Sequence, residues 1–268
     1  MFRSACFAAA LLVAAPAFAQ VEPAGEPDAT DGEALDQAPP LDEPPPTGSG
    51  LDLSGSLTAL SDYRFRGVSR SDEDPAVQAR LTLSHDSGLY GGMTATTLKG
   101  LDSFRLRDPG FRDLGDVEID LYAGYGAQLG GGFSLDAGLL YYLFAGGDGA
   151  TDYVEPYASL SYLIGPVDIT AGAKYAPSQD AIGDEDMLYL FGQVDASIPF
   201  SRWRFSALFG HQDWGRFGDY WTWSLGTEYR LPLGRGTDVA IGLRYVDTDL
   251  PSISGQDATA VLTVGLNF

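Results

Sequence analysis

Along most of this chain hydrophobic and polar residues alternate with a period of two, the spacing that sends successive side chains to opposite faces of a β-strand. From residue 51 onward the alternation falls into segments of roughly ten residues, separated by Gly, Pro, Asp and Asn turn signals. About twelve segments can be counted, and none has a helical period. The clearest are 117–127, with Val117, Ile119, Leu121, Ala123, Tyr125 and Ala127 on one face, and 133–143, with Phe133, Leu135, Ala137, Leu139, Tyr141 and Leu143. The first is read as 51–66, with Leu51, Leu53, Leu57 and Ala59 apolar, and the last carries Ala258, Ala260, Leu262, Val264, Leu266 and Phe268. The others are 76–85, 88–98, 154–164, 167–175, 188–198, 203–209, 221–231 and 239–245.

Alternation by itself also fits a soluble β-sandwich, whose sheets each show one face to water. Connection length separates the two architectures, because membrane barrels join their strands by short turns at one end and longer loops at the other. Here short connections at 85–88, 129–132, 165–166, 199–202 and 232–237 take turns with longer ones at 69–75, 99–115, 145–152, 176–186, 213–219 and 247–257. The pattern predicts an all-β fold: a transmembrane, up-and-down, antiparallel barrel of about twelve strands over residues 51–268. Its even strand number brings both ends of the barrel to one side, with Phe268 facing lipid. Tyr175, Trp214, Trp221, Trp223 and Tyr245 beside long loops, and Phe133, Trp203 and Phe268 near short turns, are expected to form two aromatic girdles.

The segments before residue 51 place the barrel. Residues 1–19 read as a secretory signal peptide, with Arg3, an apolar run from Phe7 and a small-x-small site at Ala17-Phe18-Ala19. Residues 20–50 hold eight acids, no base and the proline clusters Pro39-Pro40 and Pro44-Pro45-Pro46, which predicts a disordered, acidic periplasmic tether. The expected location is the outer membrane of a Gram-negative cell, as a monomer. The net charge of −21 argues against a nucleic-acid partner, and the single cysteine, Cys6, falls in the leader, which excludes disulfide and thiolate chemistry in the mature chain.

The polar faces of the segments supply the candidate lumen: Arg80, Glu118, Asp120, Asp136, Glu155, Asp168, Lys174, Asp195, Arg204, Glu228, Arg230 and Arg244, with Asp52 and Asp238 in phase. Such mixed charge lines a pore or forms a fixed internal network, and its acidic excess favours cations or neutral polar solutes. Twelve strands give a lumen between the filled eight-strand barrels and the aqueous porins. Tyr122, Tyr142, Tyr157, Tyr189 and Phe191 point into it, so any permeant is small or the barrel is plugged. Asp62, Arg64 and Arg66 are expected at the rim, with Tyr63 and Phe65 between them facing lipid. No catalytic, cofactor or metal site is expected. His85 reads as a turn cap and His211 as a girdle residue, while the acidic loop Asp180, Asp184, Glu185 and Asp186 offers carboxylates to a divalent cation.

The motif Ser61-Asp62-Tyr63-Arg64-Phe65-Arg66-Gly67-Val68-Ser69, followed by Pro75-Ala76-Val77-Gln78 and Ser84-His85-Asp86-Ser87-Gly88-Leu89-Tyr90, resembles a proteobacterial family of uncharacterised outer-membrane barrels labelled TorF-type porins. The resemblance spans essentially residues 51–268 and implies a barrel with a transport role, without naming a substrate or functional residues. The terminal Thr263-Val264-Gly265-Leu266-Asn267-Phe268 is similar to the end that outer-membrane barrels present to their assembly machinery. A narrow channel for small solutes leads the functional readings. A non-conducting scaffold barrel and a lipid-modifying enzyme are the alternatives.

Overall fold

The computed structural model describes residues 50–99 and 113–268. The expected leader, the tether up to Gly50 and most of the 99–115 connection lie outside the described residues. In chain order the strands are β1 (Leu51–Leu60), two short strands β2 (Arg64–Phe65) and β3 (Val68–Ser69), then β4 (Ala76–His85), β5 (Leu89–Thr97), β6 (Gly115–Gly130) and β7 (Phe133–Gly146). They continue with β8 (Tyr153–Ile164), β9 (Val167–Ala176), β10 (Met187–Ser197), β11 (Trp203–Asp213), β12 (Asp219–Gly234), β13 (Thr237–Thr248) and β14 (Thr259–Asn267).

The twelve strands β1 and β4 to β14 pair antiparallel with their neighbours, and β1 closes the barrel against both β4 and β14. Closure leaves no strand edge unpaired, which is what a sheet must achieve in hydrocarbon. At the seam the Phe268 N–H donates to the Gly55 carbonyl at 2.9 Å, and the Gly55 N–H donates to the Phe268 carbonyl at 2.7 Å. The Phe268 ring is 53% exposed on the outer wall, in phase with Leu262, Val264 and Leu266.

The outer wall is apolar all round, with Leu57, Leu81, Leu121, Leu139, Leu160, Leu190, Phe209, Leu225, Leu243 and Leu262 among its exposed residues. An apolar belt of that extent is stable only against lipid. Aromatic pairs sit near both ends of it. Phe133 lies 4.5 Å from Tyr162 and Trp203 4.9 Å from Tyr229 near the turn end, and Phe209 stacks at 4.9 Å on Trp221 towards the loop end. On the inner wall several aromatic rings lie flat over glycines of neighbouring strands: Tyr122 over Gly92, Tyr157 over Gly138, Tyr189 over Gly210 and Phe191 over Gly172. A methyl group at any of these glycines would run into the ring. The glycines therefore hold the rings against the wall, an arrangement that stiffens curved sheets.

Three expectations need correction. The first strand stops at Leu60 instead of reaching Arg66, and residues 61–75 turn into the barrel. Tyr63 and Phe65, expected to face lipid, are 1% and 9% exposed inside it, so neither belongs to a girdle. Trp214 is also no girdle residue: its indole N–H donates to the Ile182 carbonyl at 3.0 Å and its ring packs 5.4 Å from Phe217, joining the 176–186 and 213–219 loops.

Candidate functional site

The inward turn begins with a two-residue hairpin. Arg66 and Gly67, between β2 and β3, both have positive φ (49° and 87°), the conformation that favours glycine and that two-residue hairpin turns demand. Around it the segment is knitted together by one carboxylate. Asp62 accepts from Arg64 Nε at 2.6 Å, from the Ser69 hydroxyl at 2.6 Å and from the Ser71 hydroxyl at 3.0 Å. The Ser71 hydroxyl oxygen in turn accepts from the Tyr63 N–H at 2.8 Å. The segment thus has its own polar core.

Two arginines fix this plug to the wall. Arg66 reaches across to β8, where its Nη2 donates to both carboxylate oxygens of Glu155 at 2.8 and 2.7 Å, while Nη1 donates to Gln212 Oε1 of β11 at 2.6 Å. Its guanidinium lies 4.5 Å from the centre of the Tyr189 ring, and Tyr142 Oη donates to Glu155 at 3.0 Å. Arg70 pairs with Glu118 of β6, 3.4 Å from the centre of the Phe65 ring and 5.5 Å from that of Phe144. Charge-assisted, aromatic-covered pairs of this kind are far stronger away from water than on a surface.

A third attachment joins the plug to the last loop. Arg64 Nη1 donates to the Asp257 carbonyl at 2.8 Å, the Ser69 N–H donates to the Gly255 carbonyl at 2.8 Å, and Glu73 accepts from the Gly255 N–H at 2.9 Å and the Ser254 hydroxyl at 3.0 Å. The Gly255 hydrogen bond, helped by Ser254 and the charge of Arg64, holds the Glu73 carboxyl below its ordinary titration range. A carboxylate with a depressed folded-state pKa stabilises the attachment above its ordinary pKa and loses that contribution as pH falls through the depressed value. Pepsin cleavage at Tyr63 or Phe65, measured from the loop face, should therefore accelerate as pH falls below the ordinary carboxylate range. A Glu73→Gln variant should be cleaved faster by trypsin, after Arg64 or Arg70, already at neutral pH.

The plug divides the lumen into unlike halves. Towards the loop end the inward residues Leu60, Gln78, Thr96, Glu118, Tyr142, Phe144, Tyr153, Glu155, Tyr189, Gln212, Thr222 and Thr248 are buried. Towards the turn end Ser134, Ser159, Ser161, Asp168, Thr170, Gln193, Asp195, Ser206 and Glu228 remain partly exposed. A filled loop half thus stands over a polar half that solvent reaches in part, Ser56, Asp136, Arg230 and Asn267 being buried there.

The sequence-derived candidates fall into these two halves. Arg80, Glu118, Asp120 and Glu155 lie at or beside the plug, with Arg80 Nε donating to Thr94 Oγ1 at 3.4 Å. Asp136 accepts from Tyr90 Oη at 2.6 Å and lies within electrostatic reach of the buried Lys174. Asp168 and Asp195 are cross-strand partners on β9 and β10, Arg204 faces Glu228 across β11 and β12, Arg230 Nε donates to Glu228 at 2.6 Å, and Arg244 is buried on β13. Asp62, Arg64 and Arg66 are inside the mouth, buried, and not at an exposed rim. Arg70, Gln212 and Glu73 complete the site without having been marked as candidates, because 69–75 reads as an ordinary polar loop and Gln212 lies past the 203–209 segment.

The other polar candidates are accounted for locally. His85 Nδ1 accepts from the Ser87 N–H at 3.1 Å, capping its turn. His211 Nε2 lies 2.9 Å from Asp219 Oδ2, with its ring 4.3 Å from that of Trp221. In the acidic loop Glu185 pairs with Arg216 at 3.1 Å and Asp186 accepts from Tyr175 Oη at 3.3 Å. Among the described residues no group of three or more His, Cys, Asp or Glu is arranged to hold a metal ion.

The closed, twelve-stranded barrel with an apolar outer wall is a membrane-barrel architecture. The profile of a family described as bacterial protein of unknown function (Gcw_chp) matches residues 45–265, and the chain belongs to that family; the match carries no TorF-type label. No curated protein matches the sequence. Among solved structures the fold is similar to the NanC porin, at 13% identity and a TM-score of 0.52, covering 79% of this chain and 98% of that one. It is also similar to the KdgM porin in complex with disordered oligogalacturonate, at 8% identity and a TM-score of 0.51, covering 81% and 98%.

Proposed function

We propose that this protein is a gated outer-membrane channel for small polar or cationic solutes, with residues 61–75 as its resident plug. The orientation follows from connection lengths: the long loops face outward and the short turns, both ends of the barrel and the acidic tether face the periplasm. The last strand, ending in Phe268, would engage the barrel assembly machinery, and the barrel would act as a monomer. The observation that carries the reading is the way the plug is held. Beside the apolar packing of Tyr63 and Phe65 in one buried cluster with Tyr142, Phe144 and Tyr153, it is tied to the wall by two buried ion pairs, Arg66–Glu155 and Arg70–Glu118. A permanent stopper would gain more from apolar packing, because replacing buried ion pairs by well-packed apolar groups is often neutral or stabilising. Polar latches release when one partner is removed.

Purified protein in planar bilayers tests this. The intact barrel should show long closures with rare openings, and an Arg66→Gln/Arg70→Gln variant should conduct for most of the record. If both insert silently, the barrel is a scaffold with a closed lumen.

A further inference from the structure

We infer that Glu118, Asp120 and Glu155 form a binding site for organic cations bearing guanidinium or amino groups, a site that the plug's own Arg66 and Arg70 occupy in the closed barrel. The inference rests on the gated-channel reading, since the site becomes available only when the plug leaves.

The wall around each arginine has the chemistry of a cation receptor. Glu155 presents both carboxylate oxygens to one guanidinium nitrogen, Gln212 adds a third acceptor, and the Tyr189 ring lies under the same group. For Arg70 the wall supplies one Glu118 oxygen and the Phe144 ring, 5.5 Å away. Carboxylate and aromatic face together select flat or soft organic cations, which are weakly hydrated and gain from the ring quadrupole. A hard inorganic ion would instead need six or more oxygen ligands converging on one point.

Asp120 adds a third acid to the same wall. It is 2% exposed, shares a hydrogen bond with Glu118 and faces Arg70 and Arg80. Glu118 and Asp120 thus offer adjacent oxygens to a donor that takes the place of Arg70.

Departure of the plug takes Arg66 and Arg70 with it. The wall then keeps Glu118, Asp120 and Glu155 in the loop half against Arg80 and Lys174, the latter beside Tyr189. Acid-rich constrictions of this type favour cations. A cation carrying a guanidinium and a second amino group matches the chemistry of the vacated positions, and its binding would oppose reseating of the plug.

The Arg66→Gln/Arg70→Gln full-length chain, in planar bilayers under a potassium chloride gradient with arginine amide added to the loop side, tests the inference. The reversal potential should shift towards the potassium equilibrium value, and arginine amide should block the current. Adding Glu155→Gln should weaken the block about ten-fold or more, the scale of one lost charge-assisted hydrogen bond. A conducting variant that prefers chloride, or that arginine amide leaves unaffected, overturns the inference and leaves the gated channel standing. A variant that is folded by its heat-modifiable gel mobility but silent overturns the channel reading, and the inference with it.

Discussion

Replacing Arg66 with alanine should open the barrel. Arg66 and Glu155 have side chains 1% and 0% exposed, and the same guanidinium saturates Gln212 and covers Tyr189. Removing one member of a buried pair costs about 3–5 kcal/mol, because the remaining charge stays desolvated and unpaired. Glu155 regains water only if the plug leaves the lumen, so that cost falls on the closed state. The open fraction in bilayer recordings should rise by about two to three and a half powers of ten, since 1.4 kcal/mol is a factor of ten. Glu155→Gln keeps an acceptor for Arg66 and should open the barrel less. Lys99→Ala breaks a pair with Asp74 whose side chains are 60% and 46% exposed, and should leave the record unchanged.

Introducing arginine at Leu225 should destabilise the whole barrel. Leu225 is 61% exposed near the middle of β12, between Ala207 and Tyr245 of the adjoining strands, where the apolar belt surrounds it. A cation at the bilayer midplane costs about 2–4 kcal/mol in such barrels, less near the interfaces. Urea unfolding of protein reconstituted in phosphatidylcholine vesicles should show the loss. Ser159→Ala, on the partly exposed lumen face, should remain within about 0.5 kcal/mol of the parent.

The wall and the plug differ in how far they can be read from the residues. The wall is legible because lipid on one side and a polar lumen on the other force strict alternation, as in Val117 to Ala127, and because turn and loop lengths must take turns around an up-and-down barrel. Phe268 shows the gain: it lies in phase with Leu266 and Val264, and the structure places it on the outer wall, closing the seam against Gly55.

The plug escaped because alternation reports faces and not surroundings. In Asp62-Tyr63-Arg64-Phe65-Arg66 the polar and aromatic residues alternate just as they would if β1 continued into a girdle. Inside the barrel both faces are in fact used, Arg66 on the wall carboxylate Glu155, Asp62 and Arg64 on each other, and the Phe65 ring on Tyr142 and Arg70. A local cue was present in Arg66-Gly67, whose glycine suits the second position of a tight hairpin, with a strand residue on either side. The partners Glu118, Glu155 and Gln212 are 48, 89 and 146 positions away from the arginines they bind, a distance at which a single sequence carries no pairing signal. Trp214 was misplaced for a similar reason: a tryptophan beside a long loop suits a girdle, but here a second loop supplies the carbonyl that its indole needs.

The most direct test of the gated plug is a reversible tether between plug and wall. A β-carbon built at Gly67 would lie 3.4 Å from the Thr222 β-carbon, close to the 3.5–4.5 Å that a disulfide requires. The positive φ of 87° at Gly67 strains cysteine by about 1–2 kcal/mol, and the Thr248 methyl, which would overlap that β-carbon, is removed by Thr248→Ser in every protein compared. In planar bilayers the Gly67→Cys/Thr222→Cys protein should show no openings when oxidised and should regain them on reduction. Openings of equal frequency and conductance in both states would show that solute passes without the plug moving, and would contradict the gated channel.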